Sequence, residues 1–124
     1  MRVQSLFLLP ALWLGFACLA PAASLDLTRA VVVVRSGDRS EAERTAATVL
    51  VEEVERRTGL RLRVAASADA GLPAIHLTVP AALPTGLPPV RAEGYQLLTS
   101  SAGQPAVWIA GADGRAMLYG VGAF

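Results

Sequence analysis

Residues 40–59 read SEAERTAATVLVEEVERRTG, a stretch whose start, buried side and end are all legible. Ser40 is a good N-cap, because its hydroxyl can accept from an orphan N–H of the first helical turn. Glu43, three residues on, can reach back and complete a capping box. Ala46, Ala47, Leu50, Val51 and Val54 recur every three or four residues and form one apolar stripe. Glu52–Arg56 and Glu53–Arg57 are i,i+4 pairs in the favourable order on the wet side. Gly59 is the expected left-handed stop. The spacing predicts a helix from Ser40 to Thr58 with one greasy side, which needs a sheet or another helix to cover.

Working outward, the run Val31–Val34 is continuous and β-branched, as in a strand covered on both faces. Ser36-Gly37-Asp38 turns the chain into the helix. A strand, a glycine turn and a helix N-terminus can cradle a phosphate. With one glycine and no lysine following, an ordinary strand-to-helix turn explains them better. Beyond Gly59, Leu62 and Val64 alternate with Arg61 and Arg63, as in a half-buried edge strand. Residues 74–79 alternate cleanly, with Ile75, Leu77 and Val79 on one side and His76 and Thr78 on the other. Pro80, Pro84, Pro88 and Pro89 make residues 80–92 a loop. Residues 94–100 and 106–110 read as a hairpin, with Tyr95, Leu97 and Thr99 sharing a face and Val107 and Ile109 pointing inward. Asp113-Gly114 is either a hairpin turn or the cap of a second helix. Met117, Leu118, Val121 and Phe124 favour the helix, although Gly120 and Gly122 each weaken it by about 1 kcal/mol relative to alanine. A glycine there suits a helix lying close on a sheet. The expected fold is α+β, in the order β-α-β-β-β-β-α. It comprises a mostly antiparallel sheet of four to five strands with two helices packed on one face.

Residues 1–22 have the form of a secretory signal. Arg2 supplies the positive start, Leu6–Leu19 an apolar stretch, and Ala20-Pro21-Ala22 a small-residue cleavage site. The stretch is short for a membrane span of about 20 residues and contains Pro10. A lipoprotein reading would use Cys18, but Gly15-Phe16-Ala17 is a poor lipobox. The expected product is an exported domain, residues 23–124, periplasmic or extracellular and with no membrane contact after cleavage. Cys18 is the only cysteine, so the mature part is held by its core and not by disulfides. Ten arginines then face ten acidic residues, with no lysine. A neutral, dispersed charge pattern argues against nucleic acid or an anionic membrane as partner.

Chemistry has little to work with. His76 is the only histidine, and it lies in mid-strand on the side away from the apolar residues. It is a poor candidate for the base of a nucleophilic triad. Zinc would need three or four clustered ligands, and no cofactor is expected. Glycosidase chemistry needs two carboxyl groups flanking a bond, whereas Glu52, Glu53 and Glu55 crowd the solvent side of one helix. Trp108 and Tyr95 could stack on a sugar ring, although structural roles explain them as well. The chain stops at Phe124 in mid-pattern, which reads as a domain truncated at its C-terminal helix.

The segments SEAERTAATVLVEEVERRTGLRLRV, AIHLTV, EGYQLL and AVWIAGADGRAMLYGV, in this order, resemble the small N-terminal α/β domain of bacterial β-N-acetylhexosaminidases of glycoside hydrolase family 20. The N-terminal domain of the family 67 α-glucuronidases looks similar. The likeness rests on Arg57-Thr58-Gly59 closing the long helix and on Glu93-Gly94-Tyr95 entering a strand. It also rests on Gly111-Ala112-Asp113, Arg115 and Leu118-Tyr119-Gly120, in the pattern G-x-D-x-R-G-x-x-Y-G. Ala116 departs from it, standing where the family has glycine. The resemblance covers nearly all of residues 30–124 and implies a non-catalytic accessory domain of a secreted glycoside hydrolase. Its partner would be the C-terminal (β/α)8 catalytic barrel of the same full-length protein, and the catalytic carboxylates would lie in that barrel. The motif residues Ser40, Glu43, Gly59, Glu93, Gly94, Tyr95, Asp113, Arg115, Tyr119 and Gly120 would then be structural. The alternative is a stand-alone secreted carbohydrate-binding or cell-envelope module, using Trp108 and His76.

Overall fold

A strand, β1 (Val31–Val34), runs into helix α1 (Glu41–Thr58) and returns as β2 (Arg63–Ala65). Then come β3 (Ala74–Thr78), β4 (Tyr95–Ser100), β5 (Ala106–Gly111) and α2 (Gly114–Ala123). This is the element order expected from the sequence. The computed structural model describes residues 24–80, 83, 90, 91, 94–101 and 103–124. Residues 1–22, expected to be a leader, most of the proline-rich loop and Glu93 lie outside the described residues.

The class is α+β, with five strands in the order β2-β1-β3-β5-β4. The pairing differs from the expectation of a mostly antiparallel sheet. β1 runs parallel to β2 and β3, and β3 parallel to β5; only β4 opposes its neighbour β5. The reason is connectivity. A helix between two neighbouring strands carries the chain back to its starting end, so β2 must run parallel to β1. Residues 66–73 make the same return without a helix. The expected hairpin β4–β5 is present, but β5 inserts between β3 and β4 and so lies parallel to β3. Alternation within a strand sets its faces and says nothing of its neighbour.

Both helices lie on one face. Val32, Val34, Ile75, Leu77, Val107 and Ile109 form the floor, and Ala46, Ala47, Leu50, Met117 and Val121 press on it. Burying a side chain the size of Ile75 or Ile109 contributes about 1.5–3 kcal/mol. Val51 and Val54 pack at the margin of this core. Val64 shares the helix-side face with its neighbour Val32 and is 43% exposed, in keeping with the expected half-buried edge strand; β2 is the edge, three residues long.

The start of α1 is the tightest polar junction. Ser40 Oγ accepts from the Glu43 N–H at 3.2 Å, and the Ser40 N–H donates to Glu43 Oε2 at 2.8 Å. Arg35, just past β1, grips the same carboxylate with both prongs, at 2.7 and 2.9 Å. Gly59 ends the helix at φ 74°. On the wet side Glu53 takes both Arg56 and Arg57; Arg56 turns to it at i,i+3 instead of to Glu52.

Gly111 and Gly120 set how closely α2 lies on the sheet. A Cβ on Gly111 would land on the backbone nitrogen of Met117, and one on Gly120 would come within 2.8 Å of Ile109 Cγ2. Gly122 faces open space, so close packing explains Gly120 and not Gly122. Gly122→Ala should therefore hold or raise stability, by up to about 1 kcal/mol. Gly120→Ala should lower it, and urea titration of both variants separates the two cases.

The grip of Arg35, with the Ser40 bonds, holds the Glu43 carboxyl down at about 2, below its ordinary 4.5. A depressed carboxylate contributes stability that is full above its unfolded value and disappears as pH falls through the folded one. Glu43→Gln should cost on the order of 2 kcal/mol at pH 7. The difference from wild type in urea unfolding should shrink as pH drops from about 4.5 towards 2.

Candidate functional site

Each face of the sheet carries one candidate surface. On the helix side, α2 presents Tyr119, 59% exposed, and Phe124, 43% exposed. Tyr95 of β4 packs against Gly120, with its ring 3.4 Å from where a Cβ would sit. Together with Leu97 on the same face of β4 it extends the exposed apolar area to the sheet edge. Between the C-terminal halves of the helices runs a groove of about 310 Å³ lined by Val49, Val54, Val121 and Phe124. Met117 and Val121 are buried beneath this surface.

Asp113 caps α2, its Oδ1 accepting from the Ala116 N–H at 2.8 Å. Arg115 is exposed, and its side chain has no hydrogen bond or ion pair to any described residue. With Asp113, Ala116 and Tyr119 it borders a shallow cleft of about 290 Å³. Gly94 packs against Arg91 and accepts the Ala112 N–H on its carbonyl, tying the start of β4 to the end of β5. Ser40, Glu43 and Gly59 serve the ends of α1, far in role from any cleft.

On the opposite face, residues of all five strands form one cross-strand row: Ala65, Val33, His76, Trp108 and Leu98. The rings of His76 and Trp108 stack at 3.8 Å and 8°. Burial pushes the imidazole below its ordinary value, so it is neutral at neutral pH. The sequence places both residues away from the core but does not pair them; the pairing needs the β3–β5 register. A cavity of about 200 Å³ opens beside them.

The acidic residues do not gather. Glu52 is exposed, Glu53 is held by two arginines, and Glu55 pairs with Arg61 at 3.1 Å. Among the described residues no three His, Cys, Asp or Glu side chains cluster as metal ligands, and no helix is long and apolar enough to cross a membrane.

No protein-family model and no curated protein matches the chain. Among solved structures it is similar to a GH138 enzyme targeting pectin rhamnogalacturonan II. The TM-score is 0.52, with 18% identity over 75% of this chain. The match covers 12% of that enzyme's chain. At this identity the likeness is one of fold: the same small α+β arrangement is built into a glycoside hydrolase as a minor part of its length.

The stacked pair makes a direct prediction. As the only histidine in the chain, His76 can be titrated by NMR without ambiguity, and it should titrate below 6.5. Trp108→Ala should uncover the ring and bring its pKa back towards the ordinary value.

Proposed function

We propose that this chain is a non-catalytic accessory domain of an exported glycoside hydrolase and seats against the catalytic barrel through its helix layer. The observation that carries the reading is the state of two motif residues. Arg115 and Tyr119 are exposed on α2. Their side chains have no hydrogen-bond or ion-pair partner among the described residues, and both border the same cleft. Residues of a recurring motif that internal packing leaves unused are suited to an external contact. An exposed apolar area rimmed by polar groups has the make-up of an interaction surface.

The fold match supports the same reading, since it occupies a small share of a carbohydrate-degrading enzyme. The motifs Arg57-Thr58-Gly59 and Gly111-Ala112-Asp113 favour a parent of the family 20 β-N-acetylhexosaminidase or family 67 α-glucuronidase type. The signal-like residues 1–22 favour a periplasmic or extracellular enzyme of carbohydrate metabolism. A bond-splitting role for this chain finds no support among its described carboxylates, which are scattered and several of which pair with arginines, because hydrolysis needs two of them across one bond.

Assayed with p-nitrophenyl N-acetyl-β-glucosaminide and p-nitrophenyl α-glucuronide, the purified chain should give no turnover. Hydrolysis that co-purifies with the chain overturns the accessory role. In sedimentation velocity the chain should self-associate through its uncovered helix side, and Tyr119→Glu with Phe124→Glu should shift it towards monomer. A wild-type chain that stays monodisperse at high concentration counts against the docking surface.

A further inference from the structure

The cavity beside His76 and Trp108 has a composition that the docking surface does not explain. It lies at the carboxyl ends of β1, β2 and β3, against Trp108 in the middle of β5, and its walls include Val33, Arg35, Ala66, His76, Thr78 and Trp108. In open sheets with parallel strands this end is where ligands collect. Val33, Ala66 and the ring surfaces are apolar, whereas the polar atoms among them are of mixed kind. Neither the His76 nor the Trp108 side chain makes a hydrogen bond to another described residue. A neutral imidazole offers one donor and one acceptor, and the indole offers one donor. Thr78 Oγ1 donates its proton to the Val79 carbonyl at 3.2 Å, which leaves its oxygen as an acceptor. Arg35 brings a cation, but Glu43 already holds it bidentately, so the lining carries little net charge to attract an anion.

Apolar walls with a balanced set of donors and acceptors suit a ligand that has an apolar face and a hydroxylated edge. A volume of about 200 Å³ is below the usual range of drug-sized pockets and fits one ring, not a chain. We propose that this cavity binds a single neutral pyranose unit, with Trp108 and His76 as its aromatic wall and their nitrogens, together with Thr78 Oγ1, meeting the hydroxyls. The site lies on the face of the sheet away from the helices, so it stays open when the helix layer is docked. Either surface can exist without the other.

The test is an NMR titration of the full 124-residue chain, labelled with nitrogen-15. The probes are methyl β-glucopyranoside, methyl N-acetyl-β-glucosaminide and methyl α-galactopyranoside, with methyl α-galactopyranosiduronate and cyclohexanol as comparators. At least one neutral glycoside should shift the Trp108 indole N–H saturably, with the millimolar Kd of a one-ring ligand. Trp108→Phe identifies the Trp108 indole signal and tells it from that of Trp13 in the leader. His76→Ala and Trp108→Ala should each weaken binding about tenfold or more, as loss of a wall of the site requires, and Trp108→Phe should weaken it less. The proposal is overturned if no neutral glycoside saturates, if cyclohexanol binds equally well, or if the uronate binds tighter than every neutral sugar. It is also overturned if affinity survives in both alanine variants. The wild-type titration decides the matter even where a variant fails to fold.

Discussion

The carboxylate of Glu43 is the point on which the helix layer is hung. Helices α1 and α2 both start at the carboxyl ends of parallel strands, so their positive N-terminal ends come to lie side by side. The contact is close: a Cβ on Gly114, the first residue of α2, would sit 2.5 Å from Ser40 Oγ. Two adjacent helix N-termini repel and leave orphan N–H groups, and a buried anion answers both problems. Glu43 is that anion, 5% exposed, bonded to Ser40 at the start of its own helix and to Arg35 at the end of β1. Asp113 does the equivalent for α2 from the outside. An apolar residue at position 43 would remove the bonds to Arg35 and to the cap N–H together, at a cost moderated by the exposure of Arg35, whose side chain is 38% exposed.

Parallel pairing then constrains the rest. Sheets with mostly parallel strands are rarely left wet on a whole face, and here the two helices cover only one. The other face meets the demand with small residues and one large pair. Ala74, Ala106 and Ala110 are nearly or fully buried, while Trp108 lies over His76. A histidine in mid-strand is tolerable there because it is stacked and neutral. The same arrangement leaves its nitrogens unspent, so a device that shields the sheet also leaves a polar lining at its upper end.

Where residues act on near neighbours in the chain, the sequence is enough to read the structure. Ser40, Glu43 and Gly59 define α1 to the residue, because capping and the left-handed stop are local events. The spacing of Met117, Leu118 and Val121 is what makes Asp113 the cap of α2 rather than part of a hairpin turn. Partnership between distant segments is not legible. Nothing in residues 106–110 says that β5 inserts between β3 and β4, so alternation alone suggests an antiparallel sheet and leaves His76 and Trp108 unpaired.

The motif in α2 separates architecture from function. Gly111 is required because the first turn of α2 folds back onto the end of β5, and Gly120 because the helix rides on Ile109. Asp113 is required to close the helix start. These three build the fold: Gly111 lets the corner close, Asp113 caps the helix, and Gly120 lets it lie close on the sheet. Arg115 and Tyr119 are different, because truncating either side chain would disturb no described hydrogen bond or ion pair. On the proposed reading, Arg115 and Tyr119 are therefore the motif positions that internal packing leaves for an external contact, while Gly111, Asp113 and Gly120 are spent on the fold.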